Sequence, residues 1–454
     1  MENVTNSKYL INKEQQVFSV FTAVLVFVTI IMPPYFGIPV PGFDLTMIRI
    51  MLIIMVVMIV ANKDRLYGFV NTTIYNYAFW ILVPYIFVTF YTMVFRTDLK
   101  TFLNPFIEIV IFFITIYAIR ESIGIEKTIS IILVCYYIMA IQGLIEYARG
   151  ESLFKLLRTL DGALVGGSFV RSGQYRIMGP APHSIAYGMI LDIGIPLSAL
   201  DLKTNKIYLF RRPVLLILLF TNIVFSGSRS SLAVFFLEVG LLFILSSKYE
   251  MKKTILIGVV FLMGFGVFLA AFSGTSVGNY FLLQIANIID ELFGTEYAVQ
   301  FGATAITQQS SEYRDALWYV FKVKWLNPLV GRGRAQGLTI KTDKGIVIGS
   351  LDNYYIVEYV MYAYPGMFSY IFFMIVPMIM MLVRVIKEKD GFSKAFLILS
   401  IGYAWGLYYV DSLGTLKFLY LMYALFVCYD IEKFTIHDKR KKSMYLRQKV
   451  YERA

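Results

Sequence analysis

The strongest constraint on this chain is the recurrence of apolar runs long enough to cross a bilayer. A helix rises about 1.5 Å per residue, so roughly 17–25 apolar residues cross the hydrocarbon core. No water is available there to satisfy backbone N–H and C=O groups, so each run must close its own hydrogen bonds as a helix. About twelve runs meet the criterion, over residues 17–36, 44–62, 75–95, 101–119, 128–147, 184–202, 212–227, 230–247, 254–273, 364–386, 394–411 and 414–430. The chain has 454 residues, a length that would allow two or three soluble domains, but it is 58% hydrophobic and only 16% charged, which excludes them. The expected fold class is all-α: a polytopic membrane protein forming one integral membrane domain over residues 1–454.

Charge gives the expected orientation. Lys8 and Lys13, Lys63 and Arg65, Arg120 and Lys127, Lys203 to Arg212, Lys248 to Lys253, and Arg384 to Lys389 fall in alternate connections. Basic residues in short connections mark the cytoplasmic side. Both termini are therefore expected there, together with a basic tail over 431–454 lying against anionic lipid. The formal charge of +12 thus belongs to topology, and no nucleic-acid partner is expected. The first apolar run follows a polar N-terminus and is long enough to span, so it does not read as a cleavable signal. Cys135 and Cys428 lie inside apolar runs, and the two histidines, His183 and His437, are far apart. Neither a disulfide framework nor a metal site follows, and no cofactor is expected.

Two outer connections exceed what a minimal bundle needs: a first outer loop over 148–183 and a large outer loop over 274–363. Loops of this length are commonly functional. The first ends in RSGQYRIMGPAPHS, where Arg171 and Arg176 flank a Gly/Pro turn that leads to His183. Rigidly held guanidiniums suit a phosphate group; the competing reading is interfacial arginines touching lipid phosphate. Next comes SGSRSSL, residues 226–232. Its small residues make a tight turn and Arg229 opens a helix, where free N–H groups and the dipole attract anions. The competing reading is a snorkelling arginine with capping serines. The large loop carries Tyr313, Arg314 and Trp318 at one-face spacing, then NPLVGRGRAQG with Arg332, then LDNYY with Asp352, Asn353 and Tyr354 opening an amphipathic helix over 353–364. The glycine-rich turn lacks the strand and GK[ST] of a nucleotide loop. For Asp352 the competing reading is an ordinary helix N-cap.

In this order the four pieces resemble the O-antigen ligase and O-antigen polymerase superfamily of bacterial polysaccharide assembly. The likeness runs from about residue 170 to 385 and rests on SGSR, on Arg314 ahead of Trp318, on the turn Asn327 to Gly333, on Asp352-Asn353-Tyr354, and on Tyr364-Pro365-Gly366. It implies a GT-C-type, metal-independent glycosyltransferase of the bacterial cytoplasmic membrane, with its active site on the outer side. The implied partners are undecaprenyl-pyrophosphate-linked oligosaccharides as donor and acceptor, membrane lipids, and a chain-length-regulating co-polymerase.

Ligases place a histidine where this chain has Asp352, whereas polymerases often carry aspartate there, so the polymerase is the favoured member. On that reading Arg229 and Arg314, aided by Arg176, stabilise the leaving pyrophosphate, and Asp352 orients or deprotonates the attacking hydroxyl. Arg171, His183, Tyr313, Trp318, Arg332, Asn353 and Tyr354 are expected to bind substrate. A lipid-oligosaccharide flippase is the rival from another class, because Arg49, Glu108, Glu146, Asp192 and Glu238 lie in or near apolar runs. A scaffold component of an export machine is a third.

Overall fold

The computed structural model describes residues 2–40, 43–160, 170–171, 174–293, 295–301, 313–334, 339–343 and 345–451. Parts of both outer loops, including 161–169 and 302–312, lie outside the described residues. So do the side chains of the basic tail beyond residue 433 and the side chain of Arg171. The chain is mostly helical, and its described strands form four two-stranded hairpins.

Every one of the twelve apolar runs falls on a helix. In chain order these are α1 (Glu2–Ile31), α2 (Met47–Val60), then, after α3 (Lys63–Ile74), α4 (Tyr77–Arg96), α5 (Leu99–Ala118) and α6 (Gly124–Arg149). Next are α7 (Ser184–Ala199), α8 (Pro213–Ser226), α9 (Arg229–Leu245), α10 (Lys248–Ala271) and, after α11 (Ser276–Phe293), α12 (Tyr354–Glu388), α13 (Gly391–Tyr409) and α14 (Leu416–Tyr451). Helices α3 and α11 are additions to the expected set. Asn62 caps α3 by accepting from the N–H groups of Asp64 and Arg65, which starts a polar helix in what reads as a connection.

Five helical segments are long and apolar enough to cross a membrane by length and composition, so the chain is a membrane protein. Several helices are shorter than their apolar runs. Run 184–202 yields the 16-residue α7, because Leu200 and Asp201 enter a hairpin strand, β5, paired with β6 (Lys206–Ile207). Run 44–62 yields the 14-residue α2, because Phe43–Thr46 pairs as strand β2 with β1 (Gly37–Val40). At 1.5 Å per residue a 14-residue helix is about 21 Å long, against a core of about 30 Å. Conversely, α5 and α6 are joined without a loop by a π-helical turn over Ile119–Ile123.

Helix α7 is the centre of the bundle, buried along nearly its whole length and packed on α8, α9 and α13. Its small residues permit this: Gly188 lies against the Ser231 and Ser226 side chains, and Gly194 against the Tyr136 ring. The helix expected ahead of residue 364 is also present, but it is buried on nearly every face and not amphipathic. Helix α12 bends at Ala363, whose φ of 58° and ψ of −166° break it just before Pro365. Such a conformation is costly for a residue with a Cβ and needs surrounding contacts to hold it.

At the opposite end, Asp390 locks the last helices together. Its carboxylate accepts from Asn205 Nδ2 (2.6 Å), Tyr429 Oη (2.6 Å), Lys433 Nζ (2.9 Å) and the Ser393 N–H (2.9 Å). The adjacent Arg384–Asp430 ion pair ties α12 to α14. Burial alone would push the Asp390 carboxyl up, but the bonds from Ser393, Tyr429, Asn205 and Lys433 outweigh it and bring the group down to about 2. A depressed carboxyl stabilises the fold above its unfolded pKa, near 4, and that contribution disappears as pH falls through about 2. Asp390→Ala removes the acceptor that Asn205, Tyr429, Lys433 and Ser393 share, although Lys433 keeps Glu388 and Asn205 keeps Tyr429 Oη, and is expected to destabilise by about 2 kcal/mol. Thermal unfolding in detergent at pH 7 measures the loss; an unchanged midpoint would refute the lock.

Candidate functional site

The site grows from the break between α8 and α9. Helix α8 ends at Ser226, and Gly227 (φ 61°) donates its N–H to the Val224 carbonyl (2.9 Å). Only glycine suits this place: the backbone is left-handed, and a Cβ would lie 2.6 Å from Tyr280 Oη and 2.9 Å from Arg176 Nε. Ser228 then caps α9, its Oγ accepting from the Ser231 N–H (3.3 Å) and lying 3.2 Å from Ser230 Oγ. Arg229, half-buried, is the first residue of α9.

The end of the first outer loop is strapped onto this turn. The Ile177 N–H donates to the Phe225 carbonyl (3.2 Å), and Arg176 Nε donates to the Ser226 carbonyl (2.8 Å). Arg176 is only 7% exposed. The strap is held from behind by Glu146 of α6, which accepts from Met178 N–H (2.7 Å), Gly179 N–H (2.9 Å) and Tyr175 Oη (3.0 Å). Glu146 therefore anchors backbone. On the outer-loop side, Tyr280 and Phe281 of α11 cover the turn, with the Phe281 and Phe225 rings edge-to-face at 5.7 Å.

Four residues beyond Gly179, His183 caps α7 by accepting the Ile185 N–H at Nδ1 (3.1 Å). Burial, then the charge of Arg176, lower its imidazole to about 4, opposed by Asp352. The imidazole is therefore neutral at pH 7. With Nδ1 accepting, its proton resides on Nε2, so His183 offers a hydrogen-bond donor. The Asp352 charge therefore acts on His183 although the two are about 170 residues apart in sequence.

Asp352 opens α12, yet the capping task falls to its neighbour. Asn353 Oδ1 accepts from the Ile356 N–H (3.1 Å), while its Nδ2 donates to the Tyr408 carbonyl (2.9 Å). Asp352 instead receives a hydrogen bond from Ser350 Oγ (2.7 Å). Tyr313 Oη steadies this approach, bonding Ser350 N–H and carbonyl (2.9 and 2.7 Å). Arg314 lies over the Tyr409 ring at 5.4 Å, and Trp318 lies 6.4 Å from the Tyr408 ring with half its surface exposed. Asn353 is thus tied to Tyr408, whose ring neighbours Trp318, while the charges of Asp352 and Arg176 both act on His183.

Some expected binding residues have other tasks. Asn353 is a buried cap, and the Tyr354 hydroxyl donates to Glu358 (2.7 Å). The glycine turn is a clamp on the bend in α12. Arg332 and Gly333 donate their N–H groups to the Val360 and Met361 carbonyls (2.9 and 3.0 Å), which the bend releases from helical partners. The Arg332 guanidinium rests over the Trp325 ring at 5.0 Å. Arg171 lies in strand β3 (Val170–Arg171), and its side chain is outside the described residues. Sequence reasoning missed Tyr280 and the anchoring role of Glu146; a carboxylate near the outer end of an apolar run was the available signal for the latter. Among the described residues, no group of three His, Cys, Asp or Glu is arranged to hold a metal ion.

No family model matches the chain, and no curated protein sequence matches it.

Two outcomes test this geometry. Gly227→Ala forces a Cβ against Arg176 and strains the backbone by about 1–2 kcal/mol; a lowered thermal midpoint is expected, and an unchanged one would show that the strap does not rest on the turn. His183 has its folded pKa, about 4, below the unfolded value near 6.5. Its contribution is therefore present above about 6.5 and lost as pH falls from there through about 4. His183→Gln keeps a neutral acceptor at that place, so its stability should fall less than wild type between pH 7 and pH 4.5 in parallel unfolding scans.

Proposed function

We propose that this chain is a polysaccharide polymerase. It would transfer a growing glycan from undecaprenyl pyrophosphate to the next lipid-linked repeat unit, on the outer face of a bacterial cytoplasmic membrane, with both termini cytoplasmic. The observation that carries the reading is the buried Arg176, which hydrogen-bonds the SGSR turn next to a neutral His183 and the carboxylate of Asp352. Arg176 and Asp352, from separate segments, both act on His183, which supports a shared site of the kind a pyrophosphate-leaving reaction requires.

The reaction forms a bond from the acceptor hydroxyl oxygen to the anomeric carbon and breaks the bond from that carbon to the phosphate oxygen. Negative charge develops on the departing pyrophosphate. Arg176 and Arg229 would donate to it from the serine turn and Arg314 from the far side, with His183 supplying a neutral N–H. Donors fixed before the reaction stabilise such charge without reorganisation, and one of them typically contributes 10²–10³ in rate. The acceptor proton passes toward Asp352. A His183 that already accepts at Nδ1 and is protonated at Nε2 is no base, which leaves that role to the carboxylate. The exposed Trp318 ring offers a face for a sugar.

A second reading, the ligase, draws on one observation: His183 lies beside Asp352, at the position where ligases carry histidine. Purified protein, incubated with a lipid-linked repeat unit in EDTA and without ATP, separates the readings. A polymerase gives a ladder on a gel, and Arg229→Ala or Arg314→Ala lowers its yield by at least about 100-fold. Full activity in Arg314→Ala would refute the site. Product only when lipid A core is supplied identifies a ligase. Lipid carried between leaflets with no product identifies a flippase.

A further inference from the structure

A second polar region lies beside the site, inside the helical bundle. A cavity of about 330 Å³ is lined by α2, α4, α5, α12, α14 and the segment joining α13 to α14. That volume is within the roughly 300–1,000 Å³ typical of small-molecule pockets. Seven ionisable residues line it: Arg49, Arg334 and Lys417, and Asp44, Glu108, Glu358 and Asp411. It adjoins the transfer site, because Tyr354 lies on its wall two residues after Asp352, and Asp411 feels the Asp352 charge.

The arrangement of these charges is informative. Opposite charges in a low-dielectric interior normally close into ion pairs. Among the described residues none of these seven is ion-paired with another, although Arg334 and Arg49 both act on Glu108 electrostatically. They are held apart. Arg49 donates to the Asp44 carbonyl (2.6 Å) and Asn104 Oδ1 (3.3 Å), and Lys417 to the Met32 carbonyl (3.1 Å). Glu358 accepts from Tyr85 Oη (3.1 Å) and Tyr354 Oη (2.7 Å). Arg334 is positioned by the glycine turn through its own N–H, which donates to Thr101 Oγ1 (2.9 Å). The second arginine of GRGR therefore reaches the cavity, while the first is stacked on Trp325.

Such a lining suits neither a simple anion nor a simple cation, since three basic and four acidic residues line the space together. It suits an uncharged ligand with many hydroxyls, each able to donate to a carboxylate and accept from a guanidinium or ammonium. We propose that this cavity is a saccharide subsite that holds the acceptor's terminal sugar beside Asp352. The proposal rests on the transferase reading for the identity of its ligand. It assigns Glu108, Glu358 and Arg334 to sugar binding and gives the GRGR turn a purpose beyond clamping α12.

The probe is the soluble repeat-unit oligosaccharide released by depolymerising the host's own surface polysaccharide. Full-length protein in nanodiscs should bind it saturably by thermophoresis. Glu108→Gln and Arg334→Gln, the first nearly isosteric, should each weaken binding by at least about tenfold, while eluting as monodisperse protein with wild-type thermal midpoints. In the ladder assay the same variants should raise the acceptor KM and leave the donor KM within about twofold. Equal affinity in wild type and both variants overturns the subsite. So does wild-type protein that builds the ladder but does not bind the oligosaccharide, an outcome that leaves the transferase reading standing. Neither binding nor ladder overturns both. Should one variant misfold, the other decides.

Discussion

Everything in this structure depends on how the backbone satisfies its hydrogen bonds where a helix is interrupted inside an apolar bundle. Unbroken helices satisfy themselves, but each break exposes carbonyls or N–H groups that lipid cannot solvate. At the end of α8 the Ser226 carbonyl is taken by Arg176, and the Phe225 carbonyl by the Ile177 N–H. At the bend in α12 the Val360 and Met361 carbonyls are taken by the turn at Arg332 and Gly333. In the strap at residues 178 and 179, two N–H groups are taken by Glu146. These repairs bring the functional motifs together. The outer loops reach the membrane bundle because the bundle's breaks need partners.

The same view separates structural charge from reactive charge. Asp390 has its acceptor positions filled by four groups and Asp430 is paired to Arg384, so both serve the fold. Glu146 serves the strap. The flippase reading drew on such intramembrane acids, and this anchoring accounts for one of them without transport. Asp352 is different: it opens a helix yet leaves the cap to Asn353, and its recorded hydrogen bond comes from a serine hydroxyl. A carboxylate relieved of capping is available for chemistry in a way that a capping one is not.

Charge also divides this end of the bundle into two environments. Around the serine turn cations prevail, which suits a pyrophosphate. In the neighbouring cavity basic and acidic groups are interspersed, which suits uncharged sugar. The Asp352 charge acts on both, on His183 beside the serine turn and on Asp411 in the cavity wall. On the proposed reading, leaving group and nucleophile approach the reacting carbon from chemically distinct regions, so each substrate is sorted by its own charge.

Much of this was legible in the sequence. Apolar length determined twelve helices, because a backbone in hydrocarbon has few alternatives. The SGSR turn was legible too: glycine between serines, ahead of an apolar run, dictates a left-handed C-cap followed by an N-cap. Packing alone decided the rest. Nothing local distinguishes Asp352 from Asn353 as the cap, or Arg332 from Arg334 as the arginine that enters a cavity. Those outcomes turn on Tyr408, Trp325 and Thr101, which lie close to or far from them in sequence with no periodic relation. Glu146 read as a stray charge until the strap placed backbone donors against it. Local pattern sets what each segment becomes, since hydrogen bonding and burial repeat along a helix. Which side chains share a site depends on contacts between distant segments, and those exist only once the helices have packed.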